Sequence, residues 1–453
     1  MHVGIDIGTT HIGASLFDGE REIRYTGPTF ENRRIAGSVD GAFEQDPAAI
    51  ERSVRLILES ITGPVDSITV TGQVHGILYY DVNNMCVSPL ATWLDQRSHI
   101  MIGGKSIQQL FADLTSFTLP AGYGFLTHFA NLKLGLVPPD AVGFCGILEY
   151  ITARLIGSPL SKSDPSCMGP MGCFDPVSKH YDPEIFEFIE SGKISFASES
   201  CRPFEIAGYT EDGIPVTYPV GDNQAGFFAS VADISSSALV SIGTSGQLSL
   251  FSASSDISPR MELREFLGLG YLHVGATMTA GKAYERLKDL FKEVCEQISG
   301  TEVTDEAVFD MMRKTGAAAN GGGIICHPLF SGTRDDDRLK ASFENLTLKN
   351  FTMGNLVSSV VDGIVGELKE FLGQDVSAGR VEKIVATGSS VQKNPLFVES
   401  LERIFAMPVI ISTIDDAAAL GAALIGAVAI GKITLEDKNS FVDILINRKK
   451  EKI

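Results

Sequence analysis

The chain holds a single tryptophan, Trp93, and its seven cysteines (Cys86, Cys145, Cys167, Cys173, Cys201, Cys295 and Cys326) include no pair at metal-binding or redox spacing. An odd number without paired spacing excludes a disulfide framework and a zinc motif, and fits a reducing, cytoplasmic setting. Basic residues are also in short supply. Lys and Arg number 37 against 56 Asp and Glu, a net charge of -19, which argues against nucleic acid or an anionic membrane as partner, since both require a basic face. The basic run Arg448 to Lys452 is expected to be a solvated tail. Long apolar stretches are missing too: the longest, Ala417 to Ile430, is too short to span a bilayer. It follows Asp415-Asp416 and reads as a buried helix with acids at its N-terminus. No charged-then-apolar leader precedes the first strand, so no secretory signal is expected.

What the sequence does contain is a phrase said twice. Ile5-Asp6-Ile7-Gly8-Thr9-Thr10 returns as Val240-Ser241-Ile242-Gly243-Thr244-Ser245. Each copy follows a strand-like run and precedes another, so each Gly-Thr/Ser unit is expected to be the tight turn of a β-hairpin. Such a turn offers backbone N–H groups and hydroxyls to an anion, and two of them would clamp a nucleotide; a pair of ordinary hairpin turns would look the same.

With 453 residues the chain suits two or three domains, and a duplicated half supplies two. The first hairpin leads to a helix from Asp46-Pro47 to Ile61, with Asp46 as cap and Pro47 at the first helical position. A strand at Ser67 to Val70 follows, broken by Gly72-Gln73-Val74-His75-Gly76. The pattern restarts at Gly221, with a helix near Gly281 to Val294, a Gly321-Gly322-Gly323 break, a helix from about Met353 to Leu372, and a strand Lys383 to Ala386. Strands interleaved with helices in two similar halves predict two α/β domains with a cleft between them, divided as residues 1–220 and 221–440 with a 441–453 tail.

Several polar residues stand out from this pattern. Asp222, in Gly221-Asp222-Asn223-Gln224-Ala225, sits at a strand-to-helix junction and could act as general base toward a hydroxyl or simply cap the helix. Asp6 is an acid beside a phosphate-sized loop, where a magnesium ion could be held through water; its counterpart in the second copy is Ser241. Trp93, beside Asp95, Gln96 and Arg97, presents an aromatic face next to polar groups, which suits a sugar or a half-buried packing role. His75 lies in a glycine-bounded loop as a possible donor to a substrate oxygen.

These segments, together with Pro328-Leu329-Phe330-Ser331-Gly332-Thr333-Arg334, Thr387-Gly388-Ser389-Ser390 and Ala417-Ala418-Ala419-Leu420-Gly421-Ala422, occur in the order seen in the FGGY carbohydrate kinases, which the chain resembles over nearly its whole length. The resemblance implies two ribonuclease H-like domains in the actin-like ATPase arrangement, sugar bound mainly by the first and ATP with Mg2+ mainly by the second. It implies Asp222 as catalytic base, Gln73, His75, Trp93, Asp95, Thr127, Asp222 and Asn223 at the sugar, and Gly8, Thr9, Thr10, Gly243, Thr244, Gly281, Gly388, Ser389 and Lys393 at the nucleotide. Asp6 matches the acid linked to magnesium. Within the family, Ala91–Arg97, Ala121–Thr127 and Ser163–Ser166 leading to Gly172–Asp175 look most like the members that phosphorylate sedoheptulose, although Val74 and Glu149-Tyr150 depart from the common pattern. The implied chemistry is ATP-dependent phosphorylation of a ketose. A pentose or polyol kinase, and a non-catalytic sugar-sensing or chaperone-like member of the fold, are the alternatives.

Overall fold

A computed structural model describes residues 1–185, 194–333, 336, 338–374, 378–412 and 414–447. Arg334 and the basic run Arg448 to Lys452 therefore lie outside the described residues. The chain forms two compact units: Met1–Ala232 with Arg264–Gly270 and Asp415–Val442, and Asp233–Leu263 with Tyr271–Ile414 and Asp443–Ile453.

In the first unit, His2–Ile7 and His11–Phe17 form the expected antiparallel hairpin, with Ile7 opposite Ile12. Ser67–Gly72 pairs in parallel with His2–Ile7, and Val216 and Val220–Gly221 adjoin its other edge. Val3, Ile5, Ile7, Ile68 and Val70 are all buried, as strands covered by helices must be. One covering helix is Pro47–Ser60: Asp46 Oδ1 accepts from the Ala48 amide at 2.9 Å, Pro47 is at the first helical position, and Ile50, Val54 and Ile57 face inward. Another is Ala417–Ala429, apolar on all sides and capped by Asp416, whose Oδ1 accepts from the Ala419 amide at 2.9 Å. Its alanines and glycines are there because backbone meets backbone. A Cβ on Gly4 would lie 1.8 Å from the Ala419 carbonyl oxygen, and one on Gly421 would lie 1.9 Å from that of Ala225.

The second unit repeats the plan. Ser237–Ile242 and Gly246–Ser252 form a hairpin with Ile242 opposite Gly246, and Lys383–Thr387 runs parallel to Ser237–Ile242. Gly270–Thr277 and Val409–Ile411 extend the two sides. Helix Met353–Gln374 covers this sheet, its buried Val357, Val360, Val361, Ile364, Val365 and Leu368 recurring at helical spacing. The Gly321 triplet forms a short helical turn with positive φ at each glycine.

The division differs from the expected 220/221 and 440/441 boundaries. Helix Asp222–Ser230 packs within the first unit, and the chain returns to that unit at Asp415. Small residues explain the return: Gly421 rests on Ala225, and beyond it the buried Lys438 donates from Nζ to the Val231 carbonyl at 2.8 Å, capping the C-terminal end of the Asp222 helix. Sequence similarity between the halves carries no sign of this crossing.

Candidate active site

Both hairpin turns end beside a glycine that only a bare backbone can occupy. Gly72 closes Ser67–Gly72 at φ 139°, and a Cβ there would sit 2.3 Å from the Ile7 carbonyl oxygen; Gly388 follows Lys383–Thr387 at φ 99°, with the same Cβ 2.5 Å from that of Ile242. The parallel strand thus comes against the turn at the same point in each unit. In the second unit, Gly281 N–H donates to Gly243 O at 2.9 Å, Ala280 N–H to Thr244 O at 3.0 Å, and a Cβ on Gly281 would lie 2.5 Å from Ser390 Oγ. Gly243, Thr244, Gly281, Gly388 and Ser389 therefore meet at one place. A Cβ on Gly243 would touch nothing within 4 Å, so the space above that turn is open. Lys393 lies exposed at the far end of the five-residue helix that Ser389 begins.

In the first unit, polar side chains fix the turn. Trp93 Nε1–H donates to Thr9 Oγ1 at 2.9 Å, and Thr9 Oγ1 donates to Gln73 Oε1 at 3.4 Å. Gln45 Nε2 donates to the Thr9 carbonyl at 2.7 Å, Gln73 Nε2 to Gln45 Oε1 at 2.8 Å, and Asn32 Nδ2 to the Gly8 carbonyl at 2.9 Å. Thr10 closes the turn, accepting at its carbonyl from the Asn32 amide at 2.7 Å. Gln45 and Asn32 were invisible in the sequence, since each sits in a short connecting segment without a motif. Trp93 keeps 46% of its surface exposed, more than a packing tryptophan needs. His75, at a positive φ of 77°, sets its ring edge-on to Tyr123 at 4.7 Å.

Two carboxylates act on a third here. Asp6 Oδ1 is buried without a hydrogen-bond partner, and burial, then Asp416, then Asp222 raise its carboxyl well above the usual range. Burial also raises Asp416, against the pull of the Ala419 amide. An orphaned carboxylate oxygen among acids is short of positive charge, and the residues present fit a hard cation. Among the described residues no group of three His, Cys, Asp or Glu side chains could alone cage a metal; Mg2+ near phosphates is instead held by one or two carboxylates, water and the phosphates themselves. Asp6, with its unpaired Oδ1, is the residue that could take such a part.

Asp222 heads its helix, after Gly221 as cap, and its Oδ1 accepts from the Asn223 amide at 2.7 Å. The side chain is open to solvent, so a substrate can reach it, while more distant protein atoms strip enough hydration to raise its carboxyl; Arg264 pulls the other way. Behind it, Gly221 N–H donates to Ser166 Oγ at 2.9 Å, and Ser166 Oγ donates to Asp164 Oδ1 at 2.5 Å. Burial pushes the Asp164 carboxyl up to about 6.

Two expected sugar contacts are not on an open face. Asp95 has no exposed side-chain surface: its oxygens accept from Arg97 Nε and Nη2, each at 2.8 Å, and from the Phe43 amide at 3.0 Å. Arg97 extends the network to Glu44 at 2.7 Å and Asn131 at 2.6 Å. Thr127 is buried inside helix Gly124–Leu134. Asp95 braces the segment that carries Trp93, and the Thr127 amide donates to the Tyr123 carbonyl at 2.8 Å. Of the departures from the family pattern, Glu149 is buried and accepts from Ser163 Oγ at 2.7 Å, burial raising its carboxyl.

Residues 238–430 match the FGGY family of carbohydrate kinases, C-terminal domain, and sequence likeness to sugar kinases continues across 93% of the chain. The chain carries an FGGY-family C-terminal domain and resembles sugar kinases along most of its length. The kinase is 24% identical over 471 residues to the sedoheptulokinase of Homo sapiens, with 93% of this chain and 96% of that one covered. It is 22% identical to the xylulose kinase of Haemophilus influenzae, with 96% and 92% covered. Its fold matches the ligand-bound xylulose kinase of Lactobacillus acidophilus, TM-score 0.81 at 18% identity over 97% of this chain and 91% of that one. The glycerol kinase of Plasmodium falciparum with ADP matches at TM-score 0.76 and 15% identity, covering 99% and 96%. The chain thus has the expected two-domain actin-like fold, and among its described residues no helix is long and apolar enough to cross a membrane.

Proposed function

We propose that this kinase transfers the γ-phosphoryl group of ATP to the terminal primary hydroxyl of a ketose, with sedoheptulose as preferred acceptor and the 7-phosphate as product. The observation that carries the phosphotransfer reading is the meeting of Asp6, Asp416 and Asp222 near a hairpin turn bearing Thr9, with Asp222 accessible and the two inner acids short of positive charge. Phosphoryl transfer passes through a loose transition state, so alignment and charge compensation matter more than a strong nucleophile. Asp222 orients the sugar hydroxyl and takes its proton as the new O–P bond forms. Gly8, Thr9 and Thr10 approach the transferred group, while Gly243, Thr244, Gly281, Gly388 and Ser389 hold the nucleotide; Lys393, at the outer end of its helix, has least support. Asp6 would hold Mg2+, which when bound would offset phosphate charge. On the acceptor side the aromatic face of Trp93 stacks against the sugar's C–H surface, with Gln73, His75 and Asn223 beside it. A cytoplasmic setting goes with ATP use and with seven cysteines that are all free.

Sedoheptulose is favoured by the likeness to human sedoheptulokinase along more than nine-tenths of both chains and by the Ala121–Thr127 segment, which supplies Tyr123. Xylulose is the second reading, favoured by the xylulose kinases among both the sequence relatives and the solved structures. A coupled assay of ADP formation over sedoheptulose, xylulose, ribulose, fructose and glycerol separates them. Highest kcat/KM on sedoheptulose supports the first reading and highest on xylulose the second; no turnover with any of them rejects both.

A further inference from the structure

The helix that carries Asp222 has no cap of its own. Gly221, at its boundary, brings no side-chain oxygen. Gln224 stands where a capping-box residue would take the Gly221 amide, but its Nε2 donates to the Glu265 carbonyl at 3.3 Å, and the Gly221 amide donates instead to Ser166 Oγ at 2.9 Å, 55 residues back in the chain. Ser166 does more here than its own turn needs. In Asp164-Pro165-Ser166, Asp164 Oδ1 caps the short helix Pro165–Met168 by accepting from the Ser166 amide at 2.9 Å. The Ser166 hydroxyl then donates to the same oxygen at 2.5 Å, which leaves its lone pairs for Gly221. A second link runs beside the first: Cys167 Sγ donates to the Pro219 carbonyl at 3.6 Å. Asp164, Ser166 and Cys167 are all buried, and Lys162–Ser163 before them pairs in parallel with Glu199–Ser200, so this support is anchored apart from the helix it holds. Gly221 in turn pairs with Gly72, the residue that closes against the first hairpin turn, while a Cβ on Gly221 would lie 3.3 Å from the Ser166 carbonyl oxygen.

A buried hydroxyl set between a carboxylate and a backbone amide is fixed in direction, because it gives its one proton to the first and takes that of the second. Without it the buried Gly221 N–H would have no acceptor, and the backbone would have to move to recover one. That movement falls on the next residue. Asp222 Oδ1 is tied only to the neighbouring Asn223 amide, which moves with it, so the direction of the base is set by the backbone that Ser166 holds.

We propose that Ser166 is a positioning residue for phosphoryl transfer: its hydroxyl, held by Asp164, fixes Gly221 and with it the direction in which Asp222 meets the acceptor hydroxyl. The inference rests on the reading of Asp222 as base and adds to it the group that aims it. The test is a double-mutant cycle of wild type, Ser166→Ala, Asp222→Asn and the double variant, with the best of the five sugars as acceptor and with sugar and ATP varied separately. In Ser166→Ala kcat should fall about 5- to 100-fold, the range of a reacting group displaced by up to about 1 Å, with the KM for sugar and for ATP each within about threefold of wild type. In the Asp222→Asn background the same change should cost less than about twofold, because a base already removed cannot be misdirected. A kcat loss below about fivefold, a loss in the sugar KM instead, or an equal loss in the Asp222→Asn background overturns the assignment and leaves the kinase reading intact. Failure of wild type to phosphorylate any of the sugars overturns the kinase reading and this inference with it. Should Ser166→Ala not fold, Ser166→Cys carries the same cycle, since a thiol fills the space but accepts only weakly.

Discussion

Gly421 is where a single methyl group should tell the most about how this fold holds its chemistry. In Gly421→Ala the new Cβ would start 1.9 Å from the Ala225 carbonyl oxygen, and side-chain Cβ atoms do not come within 3.0 Å of such an atom. The two helices have to part by about 1 Å in a core packed at crystal-like density. Elsewhere in a helix the same change is favourable by up to about 1 kcal/mol, because alanine is the better helix former. Gly366, inside helix Met353–Gln374 with nothing within 4 Å of its would-be Cβ, is the matched control. Overpacking against unyielding backbone costs about 1–3 kcal/mol, so Gly421→Ala should be destabilised while Gly366→Ala is neutral or stabilised. Function should follow, because Ala225 lies one turn from Asp222 on the helix being displaced, and a misplacement of about 1 Å at a reacting group can cost about 10²-fold in rate. Thermal unfolding followed by circular dichroism, with kcat measured on the soluble protein, reads both effects. A Gly421→Ala protein as stable and as active as wild type would refute the close approach of the two helices and with it the account of why the chain returns to the first unit.

The buried Arg97 network is expected to be equally unforgiving: Arg97→Met leaves Asp95 and Glu44 as buried carboxylates without their cation, which should cost about 3–5 kcal/mol in denaturant unfolding, and a loss below about 1 kcal/mol would show the network to be dispensable. Lys438 carries a pH prediction. Its burial lowers the ammonium to about 7, against hydrogen bonds to Val231 and Asn439 and the Phe228 ring face at 4.5 Å, all of which favour the charged form. With the folded pKa depressed, the unfolded chain binds the extra proton between about pH 7 and the ordinary lysine value, so stability rises with pH across that window. Wild type should therefore gain on Lys438→Met as pH increases from 7 to about 10, whereas a difference independent of pH would mean that the three favourable contacts fully offset the burial.

The sequence carried those parts of the site that depend on local chemistry. The repeated Gly-Thr turn, the Asp46-Pro47 start and the Asp416 cap each depend on a few neighbouring residues, and each forms as read. Asp222 was legible for the same reason: an acid between a strand and a helix has few other places to be. The burial of Asp95 was not legible, because a motif shows composition and not burial; Arg97, two residues on, takes both of its oxygens. Gln45 and Asn32 were missed on different grounds. Each sits in a segment with no pattern of its own and reaches the site only through pairings distant in the chain. The return of the chain to the first compact unit was not legible because the backbone contact of Gly421 on Ala225 is a property of two surfaces, whereas the sequence records only two small residues.

The most direct test of the central claim is turnover of ATP and sedoheptulose by wild type and Asp222→Asn, measured as sugar phosphate formed, with sugar binding followed by Trp93 emission in the absence of ATP. The asparagine keeps the size and a hydrogen bond to the sugar hydroxyl but cannot take its proton. Phosphate transfer by wild type, a fall of about 10²–10⁴-fold in kcat for the variant and nearly unchanged sugar binding are the predicted results. Near-wild-type turnover in Asp222→Asn would contradict the assignment of the base and return Asp222 to the role of a helix-end residue.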